Sequence, residues 1–181
     1  MGCKLTSKIT KDNCNYSVAG VKAIYLVNYD AENEFALDTD KVAVETITIA
    51  DADNKKAYPV DFVEGTASFS DELAVNGNGG KYRTHTVNFT VSNYDYELLN
   101  QDKAMSLGKF TVVVVDKSGR GIVLGRNNGL SATAFNYASG AADADAMGWT
   151  VTMAGTEIEM ARLLKDVSLI TAIADKDVVT P

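Results

Sequence analysis

The sequence predicts a mainly β protein (α+β): an antiparallel β-sandwich or partly closed barrel flanked by one α-helix. Three observations carry that expectation. Apolar and polar residues alternate over most segments, the period of a half-buried strand. Turn-forming clusters recur about every eight to twelve residues, as in all-β folds. A helical period with recognisable start and stop residues occurs once, between two strand segments. No longer repeat unit is present, so a solenoid is excluded.

Residues 18–29, VAGVKAIYLVNY, read as the first strand, with Val21, Ala23, Tyr25 and Val27 on one face. A polar stretch, 30–41, separates it from VAVETITI, a two-faced strand. ADADNKKA then turns the chain into AYPVDFV. Pro59 has no N–H for a ladder, which puts that strand at an edge or a bulge. Asn76-Gly77-Asn78-Gly79-Gly80 marks a tight reversal, because Asn and Gly tolerate positive φ. It joins TASFSDELAV to KYRTHTVNFTVS, where His85, Val87, Phe89 and Val91 share a face. Ser92-Asn93 offers an N-cap, and Asp95 a first-turn carboxylate, for a helix through Leu107. Its inward stripe is Tyr94, Leu98, Gln101 and Met105, and Gly108 suits a left-handed stop. FTVVVVD and GRGIVLGR form a second hairpin about Lys117-Ser118-Gly119, and GLSATAFNYAS and MGWTVTMAG are further strands. Thr156-Glu157-Ile158-Glu159 reads as the capped start of a short helix with Ile158, Ala161 and Leu164 inward. The tail DVSLITAIADKDVVTP fits either helix or strand.

Composition narrows the function classes. The 181 residues are 46% hydrophobic and 23% charged, as expected of one ordinary globular domain. No apolar run approaches the ~18 residues of a membrane helix, and the first fifteen residues lack the apolar core of a secretory signal. Seventeen basic and twenty-four acidic residues give −7, unevenly spread: +3 over 1–29, −9 over 30–72 and −1 thereafter. An acidic chain has no footprint for gripping phosphates, although a surface past which nucleic acid slides remains compatible.

No chemical constellation emerges, so the reading is of a non-enzyme with no metal and no cofactor. Cys3, Cys14 and His85 are too few for a four-ligand zinc site. The two cysteines read as small buried side chains or as a pair of thiols. Asp51-Ala-Asp53 and Asp143-Ala-Asp145 open like calcium loops, but Lys55, Lys56, Met147 and Ala154 stand at positions that calcium requires otherwise. Gly119-Arg-Gly121-Ile-Val-Leu-Gly125 has strand residues between its glycines and no crossover unit, so it is a hairpin rather than a dinucleotide fingerprint. His85 sits in an alternating strand with no nucleophile elbow in the chain. Glu157 and Glu159 fall on different faces of the expected helix. The lipidation pattern at Met1-Gly2-Cys3 and the glycosylation patterns at Asn15 and Asn88 are short enough to occur by chance.

Taken together, the order of elements resembles the tail tube proteins of tailed bacteriophages and prophages. The likeness runs from Met1–Lys4, Ile9, Cys14 and Ala19–Leu26 through Ala67–Glu72, the NGNGG turn and Tyr82–Phe89. It continues in Leu107-Gly108-Lys109, Leu124-Gly125, Gly129-Leu130, Ser139-Gly140-Ala141, Gly148–Met153 and Gly155-Thr156-Glu157, and so covers residues 1–164. Residues 165–181 form a C-terminal extension without a counterpart. The resemblance implies a structural virion protein, assembled in the host cytoplasm, whose rings, typically hexameric, stack into a tube for DNA passage. Its implied partners are copies of itself, other tail or connector proteins, and DNA that passes without tight binding; no membrane is involved. A head-associated decoration or head-tail adaptor protein is the alternative.

On that reading, sheet edges pair between subunits, with Pro59 a weak guard and the strand 112–115 too apolar to stay exposed. Asp71 and Glu72 are expected to face the channel together. Asp30, Glu32, Glu34, Asp38, Asp40, Asp51 and Asp53 are expected in a hydrophilic inter-ring loop over 30–57, too polar to fill a core and mobile until a neighbouring ring orders it.

Overall fold

The computed structural model describes residues 4–5, 8–9, 16, 18–51, 56–92, 94 and 96–175. Met1, Gly2, Cys3, Cys14, Asn15, Asp53, Asn93 and Asp95, and with them the thiol, lipidation and N-cap expectations, lie outside these residues. The strands are β1 (Val21–Asn28), β2 (Glu34–Leu37), β3 (Ala43–Thr48), β4 (Tyr58–Val60), β5 (Ser68–Val75) and β6 (Lys81–Val91). They continue as β7 (Lys109–Asp116), β8 (Gly121–Leu124), β9 (Leu130–Ala138), β10 (Gly148–Glu157) and β11 (Arg162–Leu164). Among the described residues there are also three short helices, α1 (Tyr96–Asn100), α2 (Asp102–Leu107) and α3 (Ser168–Thr171).

All eleven strands belong to one continuous sheet that bends into two layers. The first layer runs β4-β1-β7-β8-β11-β3-β2, and the second runs β9-β10-β6-β5. They join where Lys109 and Phe110 of β7 pair with Ser131 and Leu130 of β9. The ends of the path, β2 and β5, do not meet, so the sheet does not close into a barrel. Pairing is antiparallel between neighbouring strands except for β11 with β3, which makes the sheet mixed. The mainly β class read from the sequence is therefore what the chain adopts, and Pro59 sits on an edge strand, β4.

Two apolar layers hold the sheets. Ile24, Leu26, Val112, Val114 and Leu124 of the first layer pack on Val87, Phe89, Val151 and Met153 of the second. On the opposite face of the first layer, Val27, Val113 and Val123 pack on Phe35, Val44, Leu164 and Ile170. Strand β7 thus alternates its valines between two cores, and seven of its eight residues are buried. That corrects the expectation of an exposed apolar edge at 112–115: a continuous apolar run marks a strand covered on both faces.

The acidic segment is likewise corrected. Residues 34–48 form the β2–β3 hairpin, and Phe35 (2% exposed), Val44 (0%) and Ile49 (8%) enter the second core. A few apolar anchors suffice because the hairpin supplies its own backbone hydrogen bonds. The expected helix over Thr156–Glu159 does not form. Thr156 and Glu157 instead finish β10, paired with Thr84 and Arg83.

The longer helix is interrupted at Gln101 into α1 and α2, neither of which has a fully buried residue. Leu98 and Met105 of the predicted stripe are half-buried. Gly108 is extended (φ −76°, ψ 166°) rather than left-handed, and Gly is needed there because a Cβ would lie 2.3 Å from the Ala104 carbonyl.

Of the described part of the tail, Ser168–Thr171 form α3, with Ile170 fully buried, and Ala174 is bridged in parallel to Ala57. Ile170→Ala should therefore cost about 2–5 kcal/mol, the range for deleting a buried aliphatic side chain. Ile170→Val should cost about 0.5–1.5 kcal/mol. Urea midpoints of the two variants measure both.

Candidate assembly interface

The second layer is fixed to the first at the turn 125–129, between β8 and β9. Gly125 and Gly129 adopt φ of +68° and +71°, and Gly155 is required beneath the turn, because a Cβ there would lie 2.4 Å from the Gly129 carbonyl. A turn pressed this closely on β10 exposes backbone N–H groups to the interior, and each needs an acceptor. Glu157, 1% exposed, provides it. Its carboxylate accepts the N–H of Asn128 (2.8 Å), the N–H of Asn127 (3.1 Å) and the Asn127 side-chain amide (3.1 Å). The Gly125 N–H donates to His85 Nδ1 at 3.2 Å. Arg126 bridges to Glu159 and to the Phe35 carbonyl, and Arg162 also holds Glu159.

Asp71 belongs to the same cluster. Arg83 donates Nε–H to its Oδ1 at 2.7 Å, and the Ala161 N–H donates to Oδ2 at 3.0 Å. Burial alone would raise the Asp71 carboxyl, but the hydrogen bonds from Arg83 and Ala161 and the Arg83 charge outweigh it and hold the group below its ordinary value. Glu159 is held low in the same way, burial being outweighed by Arg126 and Arg162. Burial lowers His85, against the pull of Asp71 and Glu157. The ring accepts at Nδ1, so its hydrogen stands on Nε2, which lies 3.4 Å from Asp71 Oδ1 without hydrogen-bond geometry.

The cluster unites the groups used in acid/base chemistry with the donors that hold the corner turn. Its carboxylates are occupied by backbone and guanidinium donors, and it borders neither of the two described surface hollows. One hollow is lined by Val18, Phe69, Asp116 and Arg120, the other by Tyr29, Asn33, Asp51 and Lys56. Among the described residues no group of three or more His, Cys, Asp or Glu could hold a metal ion.

The geometry that points outward is the second layer itself. Asp71 and Glu72 are consecutive in β5 and so project to opposite faces. Asp71 turns inward to the cluster, which corrects the expectation that the two carboxylates face one channel; only Glu72 is on the outer face. There Ser68, Ser70, Glu72 and Ala74 pair with Asn88, Thr86, Thr84 and Tyr82. Thr90, Asn88, Thr86 and Thr84 pair in turn with Thr150, Thr152, Ala154 and Thr156, and Thr150 and Thr152 with Asn136 and Ala134. The face is hydroxyl- and amide-rich, with Glu72 its one charged residue among these pairs.

The acidic residues expected in one loop are split by the hairpin. Asp30, Glu32, Glu34 and Asp51 lie at its base, whereas Asp38 and Asp40 lie at its tip. Asp30 accepts the Glu32 N–H at 2.8 Å. Asp38 accepts the N–H groups of Val42 (2.9 Å) and Ala43 (3.3 Å), and the Val42 bond is the main reason its carboxyl stays below the ordinary value.

The chain matches no family model, no curated protein and no solved structure.

Four strand edges bound the sheet, and they differ in kind. β2 is four residues long and carries Glu34; β4 is three residues long and carries Pro59. β5 is eight residues long, its outer edge pairs with no described strand, and Leu73 and Val75 are 57% and 59% exposed on it. β9 has no charged residue in nine, and beyond Ser131 its far side pairs with no described strand. Beside β9, Trp149 stacks on Phe135 at 4.5 Å and contacts Tyr94 and Tyr137. The Trp149 indole N–H is buried without an acceptor. Sequence reading missed this aromatic group; its signal was the alternation Phe135, Tyr137 opposite Trp149.

Two outcomes test the cluster. Glu157→Gln places an amide NH2 against the Asn127 amide donors and should destabilise the fold by about 1–3 kcal/mol, the cost of an unsatisfied buried group. Chemical denaturation measures it. Because His85 is lowered in the folded state, its contribution is fully present above the ordinary value of 6.5 and is lost as pH falls below it. The carboxylates Asp71 and Glu159 are also lowered, so theirs is present above 3.8 and 4.5 and lost only at lower pH. Unfolding free energy against pH should fall in these two stages, and His85→Gln should remove the first alone.

Proposed function

We propose that the protein is a structural, self-assembling subunit of a phage-type tail tube, joined head to tail through the second layer into closed rings that stack. The carrying observation is the contrast among edges. β2 and β4 are only four and three residues long and β4 carries a proline, devices that keep sheet edges from pairing, whereas β5 and β9 are eight and nine residues long without proline; β5 bears Asp71 and Glu72 on its two faces, and α2 packs beside β9. The order β9-β10-β6-β5, antiparallel throughout, leaves β5 and β9 running in opposite directions. A neighbour's β5 laid beside β9 therefore continues the same antiparallel ladder. Contacts between two different patches of one chain are heterologous, and heterologous contacts that close generate rings.

The outer face of the second layer suits a channel lining. The pairs named above include no Lys or Arg, so they would offer phosphates no counterion-releasing contact, and DNA would pass without tight binding; Lys109, paired with Ser131, stands at the border of the face. Its one carboxylate, Glu72, would recur once per subunit around the ring. The charged β2–β3 hairpin, with Asp38 and Asp40 at its tip, projects from the other layer and is the candidate contact between stacked rings. Other tail or connector proteins would meet the ends of such a tube.

Electron microscopy and light scattering of the purified chain at micromolar and higher concentration test the proposal. Rings or tubes are expected. Leu73→Glu with Val75→Glu should leave a folded monomer, because on the face they share with Asp71 the new carboxylates meet Arg83 and Lys81 within the hairpin but would find no counter-charge on a neighbour's β9. A wild-type chain that stays monomeric throughout that range overturns it. A species that remains small until it is given a capsid indicates a decoration protein.

A further inference from the structure

Three Asn-Gly pairs occur in the sequence: Asn76-Gly77, Asn78-Gly79 and Asn128-Gly129. In such a pair the glycine nitrogen can attack the asparagine side-chain carbonyl carbon, because no Cβ hinders the approach and the backbone is free to reach it. The reaction needs a nitrogen not already committed to a hydrogen bond. It also gains from donors placed where the carbonyl oxygen becomes an oxyanion.

The fold separates the three pairs on these two requirements. At Asn128 the attacking Gly129 N–H is bonded to the Gly125 carbonyl at 3.0 Å. The Asn128 side chain is itself pinned to the Thr156 carbonyl at 2.8 Å, and Tyr29 leaves no free space around Gly129. At Asn78 the attacking Gly79 N–H is bonded to the Asn76 carbonyl at 2.9 Å. At Asn76 the Gly77 N–H makes none of the described hydrogen bonds, and the space around Gly77 is open. The Asn76 Oδ1 meanwhile receives two backbone N–H groups, from Asn78 at 3.1 Å and Gly80 at 2.8 Å.

We propose that Asn76 is a self-modification site, converted to aspartate and isoaspartate by its own turn. Solvent hydroxide removes the Gly77 amide proton, and the nitrogen forms a bond to Asn76 Cγ while the Asn78 and Gly80 N–H groups hold the charge on Oδ1. The C–N bond to the side-chain NH2 breaks, and that group takes a proton from water and leaves as ammonia. Water then opens the resulting succinimide at either carbonyl. One product is aspartate; the other, isoaspartate, carries an extra main-chain carbon at the turn that sets the β5–β6 register. Either adds a negative charge at the end of the exposed edge strand.

The full chain is held at mildly alkaline pH in heavy-oxygen water, and its peptides are then fragmented by mass spectrometry. The expected result is exchange of NH2 for labelled OH at Asn76 ahead of Asn78 and Asn128, with isoaspartate among the products. In denaturant that preference should disappear, since it comes from the fold. Gly77→Ala, placed in open space and not at positive φ, should keep the fold by circular dichroism and suppress the change at residue 76. Reaction of Asn78 or Asn128 as fast as Asn76 in the folded chain overturns the proposal. So does a folded chain that shows no change while the denatured chain reacts.

Discussion

A sheet that continues from one layer into another must turn a corner, and the backbone at the corner cannot take its hydrogen bonds from either ladder. In this protein that constraint is met by Glu157. A lone buried carboxylate is costly to desolvate, and its negative charge is stabilised here by three N–H donors from Asn127 and Asn128. Both problems are solved by one contact: the turn gains an acceptor and the carboxylate gains donors. Much else converges on the same five residues. His85 holds Gly125, Thr111 donates to the Gly125 carbonyl at 3.2 Å, and Tyr29 reaches the Asn127 carbonyl. Residues from β6, β7 and β10, together with Tyr29 just after β1, thus meet on one turn, which fixes the angle between the layers.

The strands were legible because two local signals coincide in them. The period-two pattern of 81–92 survives intact as β6, and Asn76 and Gly79 (φ +80°) form the reversal that their chemistry predicts. Position within the sheet was not legible from the same pattern. Alternation states which faces a strand has, not what covers them, so the four valines of β7 read equally as an exposed edge or a doubly covered centre. The β2–β3 hairpin was hidden for a related reason. Its apolar anchors Phe35 and Val44 are set among carboxylates, and only tertiary contact shows that they reach a core.

The capping pattern at Thr156 failed through competition. Those residues can start a helix, yet pairing with Thr84 and Arg83 completes the nine-pair ladder between β10 and β6, and burial of Glu157 against the corner turn decides in favour of strand. The same fact explains why the site was only partly readable. Asp71 was singled out correctly as a carboxylate on the β5–β6 hairpin, but its face follows from strand parity, and its neutralisation by Arg83 follows from a diagonal cross-strand contact. The aromatic group of Tyr94, Phe135, Tyr137 and Trp149 is assembled from three separated segments, and no single window of sequence contains it.

Charge placement gives the edges their meaning. A net −7 would oppose association if it were spread evenly over the contact surfaces. It is not spread evenly. The densest acidic stretch lies on and around the β2–β3 hairpin, on the layer away from β5 and β9. Within the second layer Asp71 is matched by Arg83 and β9 contributes no charge, and just beyond it Glu159 is matched by Arg126 of the corner turn and Arg162 of β11. The exposed carboxylate left on β5 is Glu72, whose side chain projects from the outer face and not along the hydrogen-bonding edge. On the proposed assembly, repulsion between subunits would be weakest in the direction in which a ladder would grow and strongest at the acidic hairpin. In that proposed assembly, a sheet so arranged would extend along one line, and a constant rotation at each step would turn that line into a ring.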